Sequence, residues 1–194
     1  KGKGCVRSGQ HPYNVTLVAA MLAEHGEERT LAWLKGLKAN LARKPAGGDR
    51  EQVRDVFAGL CDVAIGNTYY MGAMETNTKA PEQQKWAASV KLLFPNAAGR
   101  GTHVNVSGVA LAAHAPNRDN AIRLMEFLAS PEAQRIYAET NNEYPVVAGV
   151  DASARVKGWG QLKADPRPLP DIVKLRRRAS ELVDQVNFDA GPAG

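Results

Sequence analysis

Three tyrosines lie at matching positions after two similar stretches of sequence. Tyr13 follows Cys5 by eight residues, and Tyr69 follows Cys61 by eight residues, with Tyr70 beside it. A phenol has a pKa of about 10 and is normally neutral, but a small trivalent cation stabilises the phenolate at short range. Hard, highly charged ions prefer anionic oxygen donors, so three phenolates would suit Fe(III) and balance its charge. By pattern alone, an ordinary aromatic pair at a strand end is the commoner interpretation of Tyr69 and Tyr70.

The segments that carry these tyrosines alternate between strand and helix patterns. A strand at residues 5–8 leads through a loop to a helix that ends at Gly26. A second helix with a leucine repeat follows, and then a third whose capping box pairs Asp49 with Gln52. The next strand, residues 61–66, ends at the tyrosine pair. This alternation predicts a parallel α/β sheet, and such sheets bind ligands beyond the carboxyl ends of their strands.

The later part of the chain has different patterns. Residues 102–111 alternate apolar and polar side chains, which predicts one long strand. Asn117 is expected to cap a helix, and Ser130 to cap another in which Pro131 takes the first helical position. The last helix should begin near Pro170.

The two cysteines, Cys5 and Cys61, admit two interpretations. If their strands are neighbours, the thiols could form a disulfide, provided that the Cα atoms come within about 7 Å. Two buried free cysteines, common in a reducing compartment, fit the spacing equally well. A zinc site is not supported, because neither cysteine belongs to a close pair.

Charge and motifs argue against several other functions. The 194 residues have a formal net charge of +5, which admits an acidic partner without requiring one. The single basic run, residues 174–178, lies in an apolar repeat without interleaved aromatic residues, so it predicts a solvated helix face and no nucleic-acid binding. No phosphate-binding loop or nucleophile elbow appears, and the chain is predicted not to be an enzyme. The alternative from that class is a hydrolase or transferase on a similar α/β scaffold, with His11 or His103 as its base.

Three longer segments carry a family resemblance. They are residues 7–14 (Arg-Ser-Gly-Gln-His-Pro-Tyr-Asn), 61–70 (Cys-Asp-Val-Ala-Ile-Gly-Asn-Thr-Tyr-Tyr) and 127–134 (Phe-Leu-Ala-Ser-Pro-Glu-Ala-Gln). Together they resemble the periplasmic ferric-iron-binding proteins of iron(III) ABC transporters, over essentially the whole chain. The third segment is typical of solute-binding proteins in general, whereas the Asn-Thr-Tyr-Tyr segment with Tyr13 ahead of it is typical of the iron binders.

The resemblance implies an α/β fold of the two-lobed, type II periplasmic-binding-protein clamshell. It places residues 1–99 and 151–194 in the second lobe, which carries the tyrosines. Residues 100–150 would be the returning part of the first lobe, with a hinge in the strand near 102–111. The chain would then hold most of one lobe and a fragment of the other. Family members are longer at the front, so we expect an N-terminal segment with further metal ligands to be missing.

The resemblance also implies a site and a function. The metal ligands would be Tyr13, Tyr69 and Tyr70, and the cargo would be Fe(III), with a synergistic anion as a further component. The protein would work in the periplasm, deliver iron to an ABC transporter permease, and be monomeric when full length. A disulfide between Cys5 and Cys61 is implied by the same comparison. The alternative within this class is a solute-binding protein for an anion or small organic solute without metal.

Overall fold

The computed structural model describes residues 2–192, and its elements alternate as an α/β protein. Lys1, Ala193 and Gly194, at the outer ends of the predicted second lobe, lie outside the described residues. In chain order the elements are β1 (Gly4–Cys5), α1 (Pro12–Ala39), α2 (Asp49–Phe57), β2 (Val63–Ala64), α3 (Tyr69–Glu75), α4 (Glu82–Ala88), α5 (Arg118–Leu128), α6 (Pro131–Thr140), α7 (Ala154–Gly158), α8 (Leu169–Val173), α9 (Arg176–Gln185) and the 3-10 helix η1 (Phe188–Ala190).

The two strands are short, parallel and adjacent. Gly4 lies opposite Val63 and Cys5 opposite Ala64, and the Ile65 amide donates to the Cys5 carbonyl at 3.1 Å. The predicted parallel pairing is therefore confirmed, although each strand is only two residues long. This pairing brings the segments after β1 and β2 out at one edge of the sheet, as the pattern predicted.

Helix α1 bends sharply at Gly26, where the sequence predicts a helix end. Gly26 has φ 74° and ψ 176°, which is not helical, and glycine alone adopts such a positive φ without steric cost. The Thr30 hydroxyl donates to the Gly26 carbonyl at 2.7 Å and restarts the hydrogen bonding beyond the break. Both halves of α1 thus pack against the rest of the protein at different angles.

The main hydrophobic core lies between α1 and the C-terminal helices. It includes Val18 and Leu34 from α1 and Ile172, Leu182 and Val183 from α8 and α9, all buried. The sequence predicts one last helix from Pro170, but the chain forms two, because α8 ends at Val173 and α9 begins at Arg176. A smaller core joins α3 to α4 through Met71, Met74 and Ala87.

One predicted strand is wrong. Residues 103–111 form no strand, and only Thr102 makes an isolated parallel bridge, to Ala164. A strand needs a neighbouring backbone to hydrogen-bond with, and residues 103–111 find none among residues 2–192. Val106 and Val109 are consequently half exposed. Residues 103–111 do alternate apolar and polar side chains, but the described structure contains no neighbouring strand with which they pair.

Helix starts agree better with the sequence. The Ser130 hydroxyl accepts from the Ala133 amide at 3.2 Å, with Pro131 at the first helical position as predicted. Helix α2 is capped one residue earlier than predicted and by only half of a capping box, since the Glu51 carboxylate accepts from the Gly48 backbone amide at 2.7 Å but Gly48 has no side chain to accept in return. Asn117 precedes α5, although its side chain makes no capping hydrogen bond.

Candidate functional site

Tyr13 lies in the first turn of α1, immediately beyond the loop that follows β1. His11 caps this helix by accepting from the Tyr13 amide at 3.3 Å, and Pro12 takes the first helical position. The Asn14 side chain donates to the Arg7 and Ser8 carbonyls at 3.1 and 2.9 Å. These bonds fix the loop, and with it the direction from which Tyr13 leaves the helix.

Tyr69 and Tyr70 lie at the start of α3, not at a strand end as predicted. Strand β2 stops at Ala64, and Thr68 precedes the helix. The correction has a simple physical cause, because Met71 and Met74 bury one face of a short helix in the smaller core. The two tyrosines therefore project from a helical turn, with their ring centroids 4.4 Å apart.

The structure brings the three predicted tyrosines together. The Tyr13 and Tyr69 hydroxyl oxygens are 2.9 Å apart, within hydrogen-bonding distance, and Tyr70 packs beside Tyr69. All three side chains are partly buried. The Tyr13 and Tyr69 hydroxyls therefore meet beyond the two parallel strands, with the Tyr70 ring packed against that of Tyr69.

The environment raises the pKa of Tyr69 well above its usual value of about 10. Burial is the largest cause, and the neighbouring phenols of Tyr13 and Tyr70 add to it. In the absence of a cation the Tyr69 phenol is therefore neutral at pH 7. Two phenols 2.9 Å apart cannot both ionise cheaply unless a positive charge lies between them.

Two arginines flank the tyrosines. The Arg7 guanidinium lies 5.3 Å from the centroid of the Tyr13 ring, and the Arg50 guanidinium lies 5.2 Å from that of Tyr70. Arg7 also forms an ion pair with the buried carboxylate of Asp49. Both distances are within the range of cation–π attraction.

Two polar atoms near the tyrosines are buried without a hydrogen-bond partner among residues 2–192. They are Arg50 Nε and Asn67 Nδ2. Asn67 is otherwise well connected, because its amide donates to Asp49 and its side-chain oxygen accepts from Asn105 at 3.0 Å. Arg50 was not predicted as a site residue, because its only signal in the sequence is its position in the first turn of the helix that begins with Asp49.

Other residues near the loop have mainly structural roles. The Gln10 side chain points towards α9, where it donates to the Ser180 carbonyl at 3.0 Å and to Asp184 at 2.8 Å. The His11 ring contacts Tyr13 edge-on at 4.4 Å between centroids. Burial and the nearby Arg7 charge lower the pKa of His11, against an opposing effect of Asp49.

The predicted disulfide is present. Cys5 and Cys61 are bonded, with their Cα atoms 5.8 Å apart. The bond closes a loop that contains α1 and α2, and it joins the two segments that lead to the tyrosines. Spacing left the choice between bonded and free cysteines open, and the structure decides it in favour of the bond.

Few other groups in the described part of the chain resemble a binding site. No cluster of three or more His, Cys, Asp or Glu residues between positions 2 and 192 could hold a metal ion. In the basic run at 174–178, Arg177 and Arg178 pair with Glu181, and Arg178 also pairs with Glu27. No helix within positions 2–192 combines the length and apolarity that crossing a bilayer demands.

Comparison with known proteins identifies the family. The model for the family "Bacterial extracellular solute-binding protein" matches residues 10–164, which is most of the chain. The chain belongs to this family. Among curated solute-binding relatives, Iron uptake protein A2 of Synechocystis sp. is 44% identical over 190 residues, which are 97% of this chain and 55% of that protein. The chain thus spans about half the length of the curated relatives that it matches.

Solved structures show the same relationship. The ferric iron-binding protein A of Mannheimia haemolytica, in an open conformation, has a TM-score of 0.90 and 53% identity, over 97% of this chain and 58% of that one. A Trichodesmium protein solved in complex with iron and citrate has a TM-score of 0.91 and 42% identity, over 97% and 59%. The predicted fold class, a type II periplasmic-binding-protein clamshell covered in part by this chain, is confirmed. The lobe boundaries at 99–100 and 150–151 stay a prediction.

Proposed function

We propose that this protein binds Fe(III) through the phenolates of Tyr13, Tyr69 and Tyr70 and serves as an iron-binding component of an ABC transporter. The observation that carries the proposal is the 2.9 Å separation of the Tyr13 and Tyr69 hydroxyls, with Tyr70 stacked beside them. Phenolate oxygen is the donor that a hard trivalent ion prefers. Iron uptake by the relative from Synechocystis and the iron-bound Trichodesmium structure support the same assignment.

Binding of iron replaces protons at the site. Each phenol loses its proton when it becomes a ligand, and the cation then relieves the repulsion between neighbouring oxygens. The protein makes and breaks no bond within a substrate, so its role is capture and release and not catalysis. Closure of the two lobes would favour the bound state only to the extent that the closed form binds the ion more tightly.

An anion completes the site in this proposal. Three phenolates leave part of the iron coordination shell open, and a carboxylate or a similar oxygen anion can fill it. Arg50 lies over the Tyr70 ring with a buried Nε that has no protein partner in the described structure, so it is suited to contact such an anion. Arg7 is less suited, because Asp49 already occupies its guanidinium.

The location and partners follow from the same assignment. A disulfide persists in oxidising compartments such as the bacterial periplasm, and the family name places its members outside the cytoplasm. We infer a periplasmic protein that acts as a monomer and passes its iron to a membrane permease. A pull-down with the permease of a cognate transporter, with and without ferric ion, would test this delivery step.

Visible absorption spectroscopy tests the iron site. Addition of ferric citrate to the 194-residue chain should produce a visible charge-transfer band from phenolate to Fe(III). The double variant Tyr69→Phe, Tyr70→Phe should lose that band. The matched control is Tyr137→Phe, Tyr144→Phe, which removes the two tyrosines outside the cluster and should keep it.

The outcomes separate the hypotheses. No band from the folded, unmutated chain would overturn the iron assignment. Citrate binding measured by calorimetry without any band would instead favour the metal-free receptor for an anion or small organic solute. A band that survives in the Tyr69→Phe, Tyr70→Phe variant would show that iron binds elsewhere on the protein.

A further inference from the structure

A buried ion pair lies between the two segments that carry the tyrosines. Arg7 belongs to the segment that leads to Tyr13, and Asp49 begins α2. Their side chains are 16% and 2% exposed, so the pair is largely removed from water. The two residues are 42 positions apart in sequence, and their contact joins the segment after β1 to the start of α2.

Asp49 holds the second tyrosine segment through its backbone. One carboxylate oxygen accepts from the Asn67 amide at 2.7 Å, two residues before Tyr69. Gly66 allows this close approach, because a Cβ at that position would lie only 3.0 Å from the same oxygen. The other oxygen accepts from Arg7. One carboxylate therefore joins the start of α3 to the first segment.

Arg7 links Asp49 to Tyr13, because it contacts both side chains. Its guanidinium lies 5.3 Å from the Tyr13 ring centroid while it is paired with Asp49. The Asn14 side chain holds the Arg7 backbone through its carbonyl. A planar cation paired with a carboxylate on one side and packed on a ring on the other restricts where that ring can lie.

Stability alone is a weak explanation for such a pair. Burial of two charges costs desolvation that their attraction often barely offsets, so a buried ion pair is better suited to specifying geometry. Asp55, near the other end of α2, provides the comparison. It pairs with Arg43 from the loop before the helix, and the two side chains are 9% and 20% exposed. The Asp55 carboxylate also pairs with Arg54, and none of its hydrogen bonds or ion pairs in the described structure involves a tyrosine.

We propose that the Arg7–Asp49 pair positions the ferric site by holding Tyr13 in register with Tyr69. Arg7 and Asp49 are positioning residues in this scheme and do not contact the metal. The inference rests on the proposed function, because it assigns these residues to the geometry of the same iron site.

The test compares Asp49→Asn with Asp55→Asn. Asparagine keeps an oxygen that can accept from the Asn67 amide but removes the charge that holds Arg7. Ferric citrate titrations of Asp49→Asn should show about 10- to 100-fold weaker binding, the usual effect of changing a group that orients a metal ligand, together with a shifted or weakened charge-transfer band. Asp55→Asn should lower the melting temperature but change ferric affinity less than about twofold, with an unchanged band.

Arg7→Lys keeps the test decisive if Asp49→Asn does not fold. Lysine retains the charge and the ion pair with Asp49 but has no planar group to pack on Tyr13. It should lower ferric affinity and shift the band with little change in melting temperature.

Three results would overturn different claims. Suppose that Asp49→Asn or Arg7→Lys folds and keeps the ferric affinity and charge-transfer band of the unmutated protein. That result would refute the positioning role and leave the iron site intact. Absence of the band in the unmutated chain would refute the proposed function itself. Equal losses of ferric affinity in Asp49→Asn and Asp55→Asn would show that both ion pairs act only by stabilising the fold.

Discussion

Helices α1 and α9 differ from α5 and α6 in what covers their apolar faces, although all four have helical patterns in the sequence. In the first pair, Leu34 and Leu182 are 1% and 0% exposed, because the helices pack on each other. In the second pair, Leu124 and Ile136 are 55% and 53% exposed, and α5 has no buried residue at all. The second pair thus buries little, since α6 buries only Ala133, Gln134 and Ala138.

The difference shows that periodicity predicts a helix but not its partner. An amphipathic face is stabilised only when another element removes it from water. The tyrosines belong to the covered region, where ion pairs, a disulfide and a hydrophobic core converge on two short strands. The site is therefore built on the part of the described structure that is held most firmly.

The largest expected effect is the pH dependence of iron binding. It should distinguish Tyr69, in the covered region, from Tyr144, which follows α6. Burial raises the pKa of both Tyr69 and Tyr144, but only Tyr69 should lose its proton to iron. With three phenols deprotonated on binding, each unit fall in pH should weaken apparent ferric affinity by up to about a thousandfold, or about 4.1 kcal/mol.

Titrations against citrate between about pH 6 and pH 8 would measure this slope. The sign follows from mass action. The raised pKa keeps the Tyr69 phenol protonated over this pH range, so iron must displace its proton. Because the proton concentration rises as the pH falls, ferric affinity should fall with it. Tyr144→Phe should leave the slope unchanged, whereas Tyr69→Phe should reduce it by one proton. An affinity that does not vary with pH would contradict ligation by phenolate.

Removal of the disulfide should lower the free energy of unfolding by about as much as one pH unit changes the free energy of iron binding. The Cys5–Cys61 bond spans 56 positions, and loss of its constraint on the unfolded chain should cost about 4 kcal/mol. Urea unfolding of Cys5→Ser, Cys61→Ser would measure this change. A loss below about 1 kcal/mol would indicate that the strand pairing is held by packing alone.

The two helix pairs can be compared directly by truncating one leucine in each. Leu182→Ala should destabilise the protein by about 2–5 kcal/mol, because it leaves a cavity in the main core. Leu124→Ala should change stability by no more than about 0.5 kcal/mol. Thermal melts of the two variants side by side provide the measurement. A large loss from Leu124→Ala would mean that α5 is covered in solution.

Single tyrosine substitutions should change iron binding less than a unit change in pH does. Tyr13→Phe removes the hydroxyl that lies 2.9 Å from Tyr69 and should weaken ferric binding at least about tenfold, or about 1.4 kcal/mol. Tyr144→Phe removes a buried hydroxyl that has no hydrogen-bond partner among the described residues and should leave binding unchanged. Equal effects of the two variants would place Tyr13 outside the iron site.

Much of this site could be predicted from the sequence. The equal offsets of Tyr13 and Tyr69 after two cysteines indicated a common edge, and the parallel strands bring both hydroxyls there. The disulfide needed the family resemblance, because spacing alone did not distinguish bonded from free cysteines. Local patterns succeed here because each strand, loop and cap depends on residues that are close in sequence.

The rest depended on partners that sequence patterns do not specify. The Arg7–Asp49 pair joins residues 42 positions apart, so it is visible only once the strand pairing is known. The strand predicted at 102–111 failed for the opposite reason, because alternation describes one side of a sheet and not the neighbour that it needs. The turn from β2 into α3 was missed because the methionines that stabilise α3 are buried by α4.

The disulfide between Cys5 in β1 and Cys61, just before β2, also orders events in time. Thiols remain reduced in the cytosol and pair only where the surroundings oxidise them. In the proposed periplasmic location, oxidation of the two thiols, and not the end of translation, would therefore complete the alignment of the two tyrosine-bearing segments. The reduced and oxidised forms would differ in how firmly those segments are held in place.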